Sequence, residues 1–349
     1  MEPYLSHIQG KTILVTGGAG AIGSNLVRTL AEAGARTVIV LDDLSASPLW
    51  NVPDLPNVLF VKGSVTDEVD LKRCFAEKPE IVYHLAAFFA NQNSVDYPQK
   101  DLMVNGMGTL LTLQYSVMTG VQRVVYASSG CSIYGHSAPL PLKEDFVSLH
   151  LTTPYQVTKM LGELYANFFW HHHDLEVVKC RFFNSFGPGE VPGQYRNVIP
   201  NFIHRAMRGL PLPFTGEDIA SRDFTYVSDL VDGLVRSAYY TKAVGQEMNL
   251  AGGREIRILD MAARVNELTG NKAGIVRGTP RKWDTKVRLL ASIDRAKELL
   301  EWEPVMDFDE GLEANIAWFE ANWERIEGAA SYVPGSSAAV RGAVLCRHG

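Results

Sequence analysis

Two side chains four positions apart make the first chemical statement in the chain: Tyr155 and Lys159, in the run Tyr-Gln-Val-Thr-Lys. At that spacing a helix sets them on one face. The ammonium charge favours the phenolate, and a phenolate so held takes a proton from an alcohol or sugar hydroxyl near neutral pH. The carbon left behind then needs somewhere to send a hydride. An acceptor site is written at Thr16-Gly-Gly-Ala-Gly-Ala-Ile-Gly23, where Gly17, Gly20 and Gly23 lie between an apolar strand and an apolar-periodic helix beginning at Ala21 and Ile22. Glycines there let the chain turn tightly and let a pyrophosphate approach the free N–H groups of the helix start. Asp42 follows 19 residues after Gly23, beside Asp43 and Leu44. A carboxylate at that point accepts hydrogen bonds from the ribose hydroxyls of NAD and repels the 2′-phosphate of NADP. The plainer reading of Asp42 is a solvated loop acid, and NAD against NADP affinity separates the two.

These groups must be positioned by regular elements, and the pattern supplies them. Short apolar runs at Thr12–Thr16, Thr37–Leu41, Val58–Val61, Ile81–Leu85, Val121–Ala127 and Leu175–Arg181 alternate with helical stretches at Ala21–Ala33, Asp67–Glu77, Lys100–Met118 and Thr153–His172. Buried strands alternating with helices predict an α/β fold, a Rossmann-type doubly wound parallel sheet covered on both faces. After Asn184 glycine and proline crowd in, and a helix at Val198–Met207, a strand at Phe224–Val227, a helix at Ser228–Tyr240 and a strand near Met248–Leu250 predict a smaller, interwoven C-terminal α/β lobe.

The chain has 349 residues, 46% hydrophobic, with 33 basic against 39 acidic side chains and a net charge of −6. That length suits about two lobes. The charge balance, without a basic run, argues against nucleic acid as partner. A membrane span and a secretory leader are likewise not expected, which predicts a cytoplasmic protein. Four cysteines without CxxC spacing predict neither disulfide nor metal site. His171, His172 and His173 are consecutive, and adjacent helical residues point in different directions, so no metal is expected there.

Taken together, TGGAGAIG (16–23), HLAA (84–87), Asn105, ASSGCSIYG (127–135), YQVTK (155–159), RFFNSFGPG (181–189), RDFTYVSD (222–229) and the LLEWEP stretch ending at Pro304 resemble the extended short-chain dehydrogenase/reductases, and within them the nucleotide-sugar epimerases and dehydratases. The resemblance runs from about Lys11 to Trp323. It implies Tyr155 as base, with Lys159 also on the nicotinamide ribose, Leu85, Ala86, Ala87 and Phe182 along NAD, and Asn105 holding the site's backbone. The family often contacts adenine with an Asp after the third strand; Ser64, followed by Val65, stands there instead. On the substrate side it implies Phe88, Asn184, Asn197 and Val198, Arg222 and Arg281 toward phosphate, Asp284 toward ribose, and Phe214 and Thr215 at the base, with uracil the default. A guanidinium suits phosphate because it offers a charged fork of donors; for Arg281 an ordinary surface arginine is the alternative. Arg196 either faces a uronate carboxylate or solvent. The implied division is a NAD-binding domain at 1–183 with 222–250 returning to it, a nucleotide-sugar lobe at 184–221 and 251–327, and a flexible tail at 328–349. A homodimer is implied through the helices at 100–118 and 153–172, with Leu110, Leu113, Leu161 and Phe168 either at that interface or in the core.

The reaction turns on residues 128–135. Aligned with the family's pattern, the Ser or Thr that meets the reacting 4-hydroxyl falls on Gly130, so Ser129 or Ser132 must supply the donor. Sugar 4,6-dehydratases carry Asp and Glu at the next two positions; Cys131 and Ser132 cannot serve as that acid–base pair near pH 7. The expectation is therefore 4-epimerisation of a UDP-hexose or UDP-hexuronate through a 4-keto sugar. Two alternatives stay open: a dehydratase or multi-position epimerase that uses Cys131, otherwise a small filler, and a catalytically silent NAD-binding protein.

Overall fold

A computed structural model describes residues 2–278 and 286–330. Its elements follow from the patterns above: β1 (Thr12–Thr16), α1 (Ala21–Glu32), β2 (Thr37–Asp42), β3 (Val58–Lys62), α2 (Glu68–Ala76), β4 (Ile81–His84), α3 (Gly108–Thr119), β5 (Arg123–Ser129), α4 (Pro154–His173), β6 (Glu176–Phe182), α5 (Val198–Met207), α6 (Val227–Tyr239), β7 (Glu247–Leu250), α7 (Ile258–Thr269) and α8 (Phe308–Ala321). The central sheet has seven strands in the order β7-β6-β5-β4-β1-β2-β3, every pair parallel. Neighbouring residues on one strand feed opposite faces, and both are dry. Ile13 and Val15 pack against α1 and α6, whereas Leu14 joins the cluster formed by α2, α3 and α4. This is why the strands read as continuous apolar runs. The order reverses at β1, and a parallel sheet opens a crevice at its carboxyl ends there.

A second core, built from Phe202, Phe214, Met261, Leu312 and Phe319 among others, joins α5, α7 and α8. Ala296, Leu300 and Trp302, assigned by sequence to that lobe, pack instead on the first core beside α6.

Three expectations need correction. The predicted helix at Lys100–Met118 is interrupted: Pro98–Asp101 is α-helical, Leu102–Met107 makes a π-turn, and α3 then begins at Gly108. Such turns gather at functional sites, and here Asn105 lies inside it with its side chain bonded to three other segments (below). The strand at Phe224–Val227 shrinks to Thr225–Tyr226, paired with Ser185–Phe186 in a separate two-stranded ribbon. Gly328 and Ala329, expected to open the tail, belong instead to a short helix, Trp323–Ala329, that anchors Ile326 in the second core. Residues 331–349 lie outside the described residues, as do Arg281 and Asp284.

Candidate active site

One cleft of about 1110 Å³ runs across the carboxyl ends of the strands and down between the two cores. Its cofactor end starts at the glycine turn. Gly17 has φ +72°, and a Cβ on it would stand 2.7 Å from the Ala86 nitrogen; on Gly23 it would stand 2.2 Å from the Gly17 carbonyl oxygen. Only glycine fits either place, and the turn delivers the N-terminus of α1, whose first N–H groups have no acceptor within the helix. Asp42 closes that end: its Oδ2 accepts from Ala19 N–H (3.0 Å) and its Oδ1 from Leu44 N–H (2.9 Å). Gly20, Ala21, Ile22, Asp43, Ser64, Val65, Leu85, Ala86, Ala87 and Phe182 line the same trough. Leu44 and Asn105 act from behind the wall. Leu44 contributes the N–H just named, and Asn105 Oδ1 accepts from Phe88 N–H at 2.7 Å. The Asn105 amide also donates to Asp101 (2.8 Å) and Thr158 (3.3 Å), and Thr158 donates to Asp101 at 2.7 Å. The π-turn is thereby tied to α4. His84 joins β1 to α3 in the same way, with ring nitrogens 2.8 Å from Thr16 Oγ1 and 2.9 Å from Thr109 Oγ1. Burial, with Lys159 nearby, pushes its pKa down to about 3, so the ring is a neutral strut.

Helix α4 presents the reacting pair. Thr153 caps it in a reciprocal box with Gln156, and Pro154 takes the first helical position, where no N–H is needed. Tyr155 and Lys159 follow on one face, both buried. Lys159 Nζ donates to the Ala127 carbonyl at 2.8 Å and lies 5.7 Å from the Tyr155 ring centre. Burial lowers the Lys159 pKa to about 8, Asp101 opposing. Tyr155 is raised, chiefly by burial and then by Asp101 and Cys131, while a hydrogen bond with Ser129 pulls it back. Burial thus holds the phenol neutral, and the phenolate depends on positive charge beside it.

Ser129, Cys131 and Ser132 all line the cleft beside Tyr155. Ser129 Oγ donates to Ser132 Oγ at 3.0 Å. The absence of a side chain at position 130 has a steric cause: a Cβ there would stand 1.9 Å from Cε2 of Phe183. Cys131 Sγ accepts from Asn184 N–H at 3.3 Å, and burial raises its pKa, so the thiol stays protonated.

The rest of the cleft brings together Phe88, Asn184, Arg196, Asn197, Val198, Phe214, Thr215 and Arg222, the residues expected on the substrate side. Asn197 precedes α5 and gives its backbone and side-chain N–H to Glu190 Oε1 (3.3 and 2.9 Å). Arg222 Nη1 donates to the Ser221 and Val287 carbonyls at 2.8 and 3.2 Å. Burial lowers the pKa of Arg196, with the charges of Glu190 and Asp42 opposing. Three residues of the site were not foreseen. Asp101 sits under α4, Glu190 is a buried acid raised to about 7 by burial, and Lys286 donates from Nζ to the Cys131 carbonyl at 2.9 Å. None lies in a motif with its own chemical signature; only folding brings Glu190 and Lys286 to the cleft and Asp101 behind its wall. His171, His172 and His173 stack on Trp170, Phe168 and Phe169. Among the described residues no cluster could hold a metal ion.

A family model for the NAD dependent epimerase/dehydratase family matches residues 13–251, from β1 through β7. The chain belongs to that family. Its cofactor is accordingly NAD, and the glycine cradle, the Asp42 carboxylate and the Tyr155–Lys159 pair fit that molecule. An epimerase structure from Methanothermobacter thermautotrophicus is 52% identical and superposes with a TM-score of 0.93, covering 94% of this chain and 97% of that one. UDP-glucose 4-epimerase of Mycolicibacterium smegmatis is 33% identical over 310 residues, 88% of this chain and 97% of the relative. UDP-N-acetyl-alpha-D-glucosaminuronate decarboxylase of Bacillus cytotoxicus is 28% identical over 319 residues, 88% and 98%. Family membership thus leaves the reaction at the level of nucleotide-sugar chemistry. Among the described residues no helix is long and apolar enough to cross a membrane.

Proposed function

We propose that the protein interconverts UDP-sugars epimeric at carbon 4, acting on a UDP-hexose or UDP-hexuronate. The observation that carries this is the set around Tyr155: a phenol, two hydroxyls and a protonated thiol, with no carboxylate pair at positions 131 and 132. Elimination of water calls for a further acid and base, and loss of carbon dioxide from a 4-keto hexuronate, whose C4 carbonyl takes the electrons, calls for protonation at C5, whereas epimerisation calls only for one reversible proton transfer at O4. Bound NAD supplies the reversible hydride acceptor. Tyr155 takes the O4 proton, with Lys159 holding positive charge beside it as the phenolate forms. Ser129, itself hydrogen-bonded to Tyr155 and Ser132, orients the 4-hydroxyl in the place left by Gly130. Tyr155 returns the proton when the 4-keto sugar is reduced on its other face, so the residues end as they began.

At the other end Arg222 and the start of α5 at Asn197 and Val198 support a reading as diphosphate site, and Phe214 with Thr215 as base site. A homodimer fits the outward faces of the π-turn and α4, where Leu102, Met103, Met107, Val157, Leu164 and Phe168 are exposed. Leu113 is core, and Leu110 and Leu161 are half-buried. A second copy presenting the same stripe would bury it, and sedimentation showing only monomer would refute that. The activity is tested by following UDP-glucose, UDP-galactose, UDP-glucuronate and UDP-N-acetylglucosamine by proton NMR. Approach to a mixture of 4-epimers is expected from at least one. A keto-deoxy product, or a pentose with carbon dioxide, would replace this reading with elimination or decarboxylation. Binding of NAD with no conversion of any sugar nucleotide would leave the silent NAD-binding protein.

A further inference from the structure

We propose that Lys286 is the residue that selects an acidic sugar, by pairing with the C6 carboxylate of a nucleotide hexuronate. This rests on the reading of the cleft as a UDP-sugar site. Lys286 comes from the chain that follows the second lobe's last strand, yet its Nζ crosses to the segment of residues 129–132, where it donates to the Cys131 carbonyl. It lines the same cleft as Tyr155, Ser129 and Ser132. Cys131 in turn lies near Tyr155, since its thiol is among the groups that raise the phenol. Tyr155 is placed to hold the 4-hydroxyl. The next ring atom, C5, carries C6, so a cation held against the 129–132 segment of the same cleft can meet the substituent at C6.

Charge accounting points the same way. Lys286 is half-buried, and among the described residues its one hydrogen bond goes to a carbonyl, with no carboxylate paired to it. Burial lowers its pKa to about 8, Arg222 adding to the effect. An ammonium in that position is under-compensated, and an anion arriving from the ligand restores the missing partner. Asp223 is otherwise engaged: its two oxygens accept from the backbone N–H groups of Ala291 (3.0 Å) and Gly253 (3.1 Å). Arg196, by contrast, already lies in the field of two acids, Glu190 and Asp42. The other anion of the ligand, its diphosphate, has a separate set of donors at Arg222 and the start of α5. A neutral hexose, with a hydroxyl at C6, would leave Lys286 as it stands now.

The test is calorimetric and independent of turnover. NAD-loaded protein is titrated with UDP-glucuronate and with UDP-glucose, for wild type, Lys286→Met and Lys286→Arg. The wild type should prefer UDP-glucuronate. Lys286→Met should lose about ten- to hundredfold in affinity for UDP-glucuronate, the range of a hydrogen bond to a charged group, with UDP-glucose changed less than about threefold. Lys286→Arg keeps the charge and should stay within about tenfold for both. An equal loss for both ligands in Lys286→Met would overturn the proposal and assign the lysine to the diphosphate. Unchanged affinity for both would overturn it too, and would leave the UDP-sugar reading intact. Wild type that binds neither ligand would refute that underlying reading as well.

Discussion

Restoring the hydroxyl that the family places at position 130 should damage this protein rather than improve it. A Cβ on Gly130 would stand 1.9, 2.4 and 2.6 Å from three ring atoms of Phe183, where carbon atoms rest at about 3.5–4.0 Å. The ring has nowhere to retreat: Phe183 is fully buried with Ile133, Tyr134 and Leu289 around it. Overpacking of this kind costs about 1–3 kcal/mol, and an overlap of more than 1 Å on a fixed ring belongs at the upper end, so Gly130→Ser should lose about 3 kcal/mol. Phe183→Ala alone should lose about 3–5 kcal/mol through the cavity it leaves. In the double variant the serine occupies part of that cavity, and the loss should fall short of the sum by about 1–3 kcal/mol, the coupling expected of side chains in direct contact. Urea denaturation monitored by fluorescence measures all four proteins, with an unchanged slope showing that the unfolded reference is the same. Turnover of Gly130→Ser should not exceed wild type, because the added hydroxyl arrives with a displaced ring. Gly130→Ser as stable as wild type, or strictly additive losses, would refute the steric account.

Tyr155→Phe should lower kcat by about 10²- to 10⁴-fold, the usual worth of a positioned acid–base group, with NAD still bound in titration; a loss under about threefold would remove Tyr155 from the proton transfer. Lys159 titrates at about 8 in the fold and near 10.5 when exposed. Between those values the unfolded chain holds more protons, so stability should rise with pH across that window, by up to about 3 kcal/mol, and lie at its lower plateau below pH 8. Lys159→Met should lack that rise, which paired denaturation curves at pH 7.5 and 9.5 would reveal. Arg181 donates from Nε and Nη2 to the two oxygens of Glu163 (2.9 and 2.8 Å), both side chains buried. Arg181→Met strands that carboxylate and should cost about 3–5 kcal/mol, while Arg181→Met with Glu163→Leu should recover much of it. A double variant no better than the single would argue against the stranded charge as the cause.

Much of this was legible because the signals are local. The alternation of β-branched runs with helical periods carries the doubly wound sheet, since strands buried on both faces must be apolar throughout. The glycine turn announces itself because only glycine permits the close approaches at positions 17 and 23. Tyr155 and Lys159 are visible as a pair because one helix turn joins them, and Thr153, Pro154 and Gln156 mark where that helix starts. Asp42 is legible from its distance along a βαβ unit.

What the chain order hides is anything assembled from distant segments. Lys286 lies 155 residues from the carbonyl it reaches, and no pattern around it announces a ligand. Asn105 sits within an apolar helical run, so the π-turn that frees its side chain to hold Phe88, Asp101 and Thr158 follows from those partners, not from its neighbours. The clash that keeps position 130 a glycine comes from Phe183, at the end of a different strand. Of the two acids that act on Arg196, Glu190 and Asp42, the second comes from a distant segment as well. Local patterns therefore determined which chemistry this protein carries and on which elements; tertiary packing decided which charges stand at which end of the cleft, because burial and long-range contact set them.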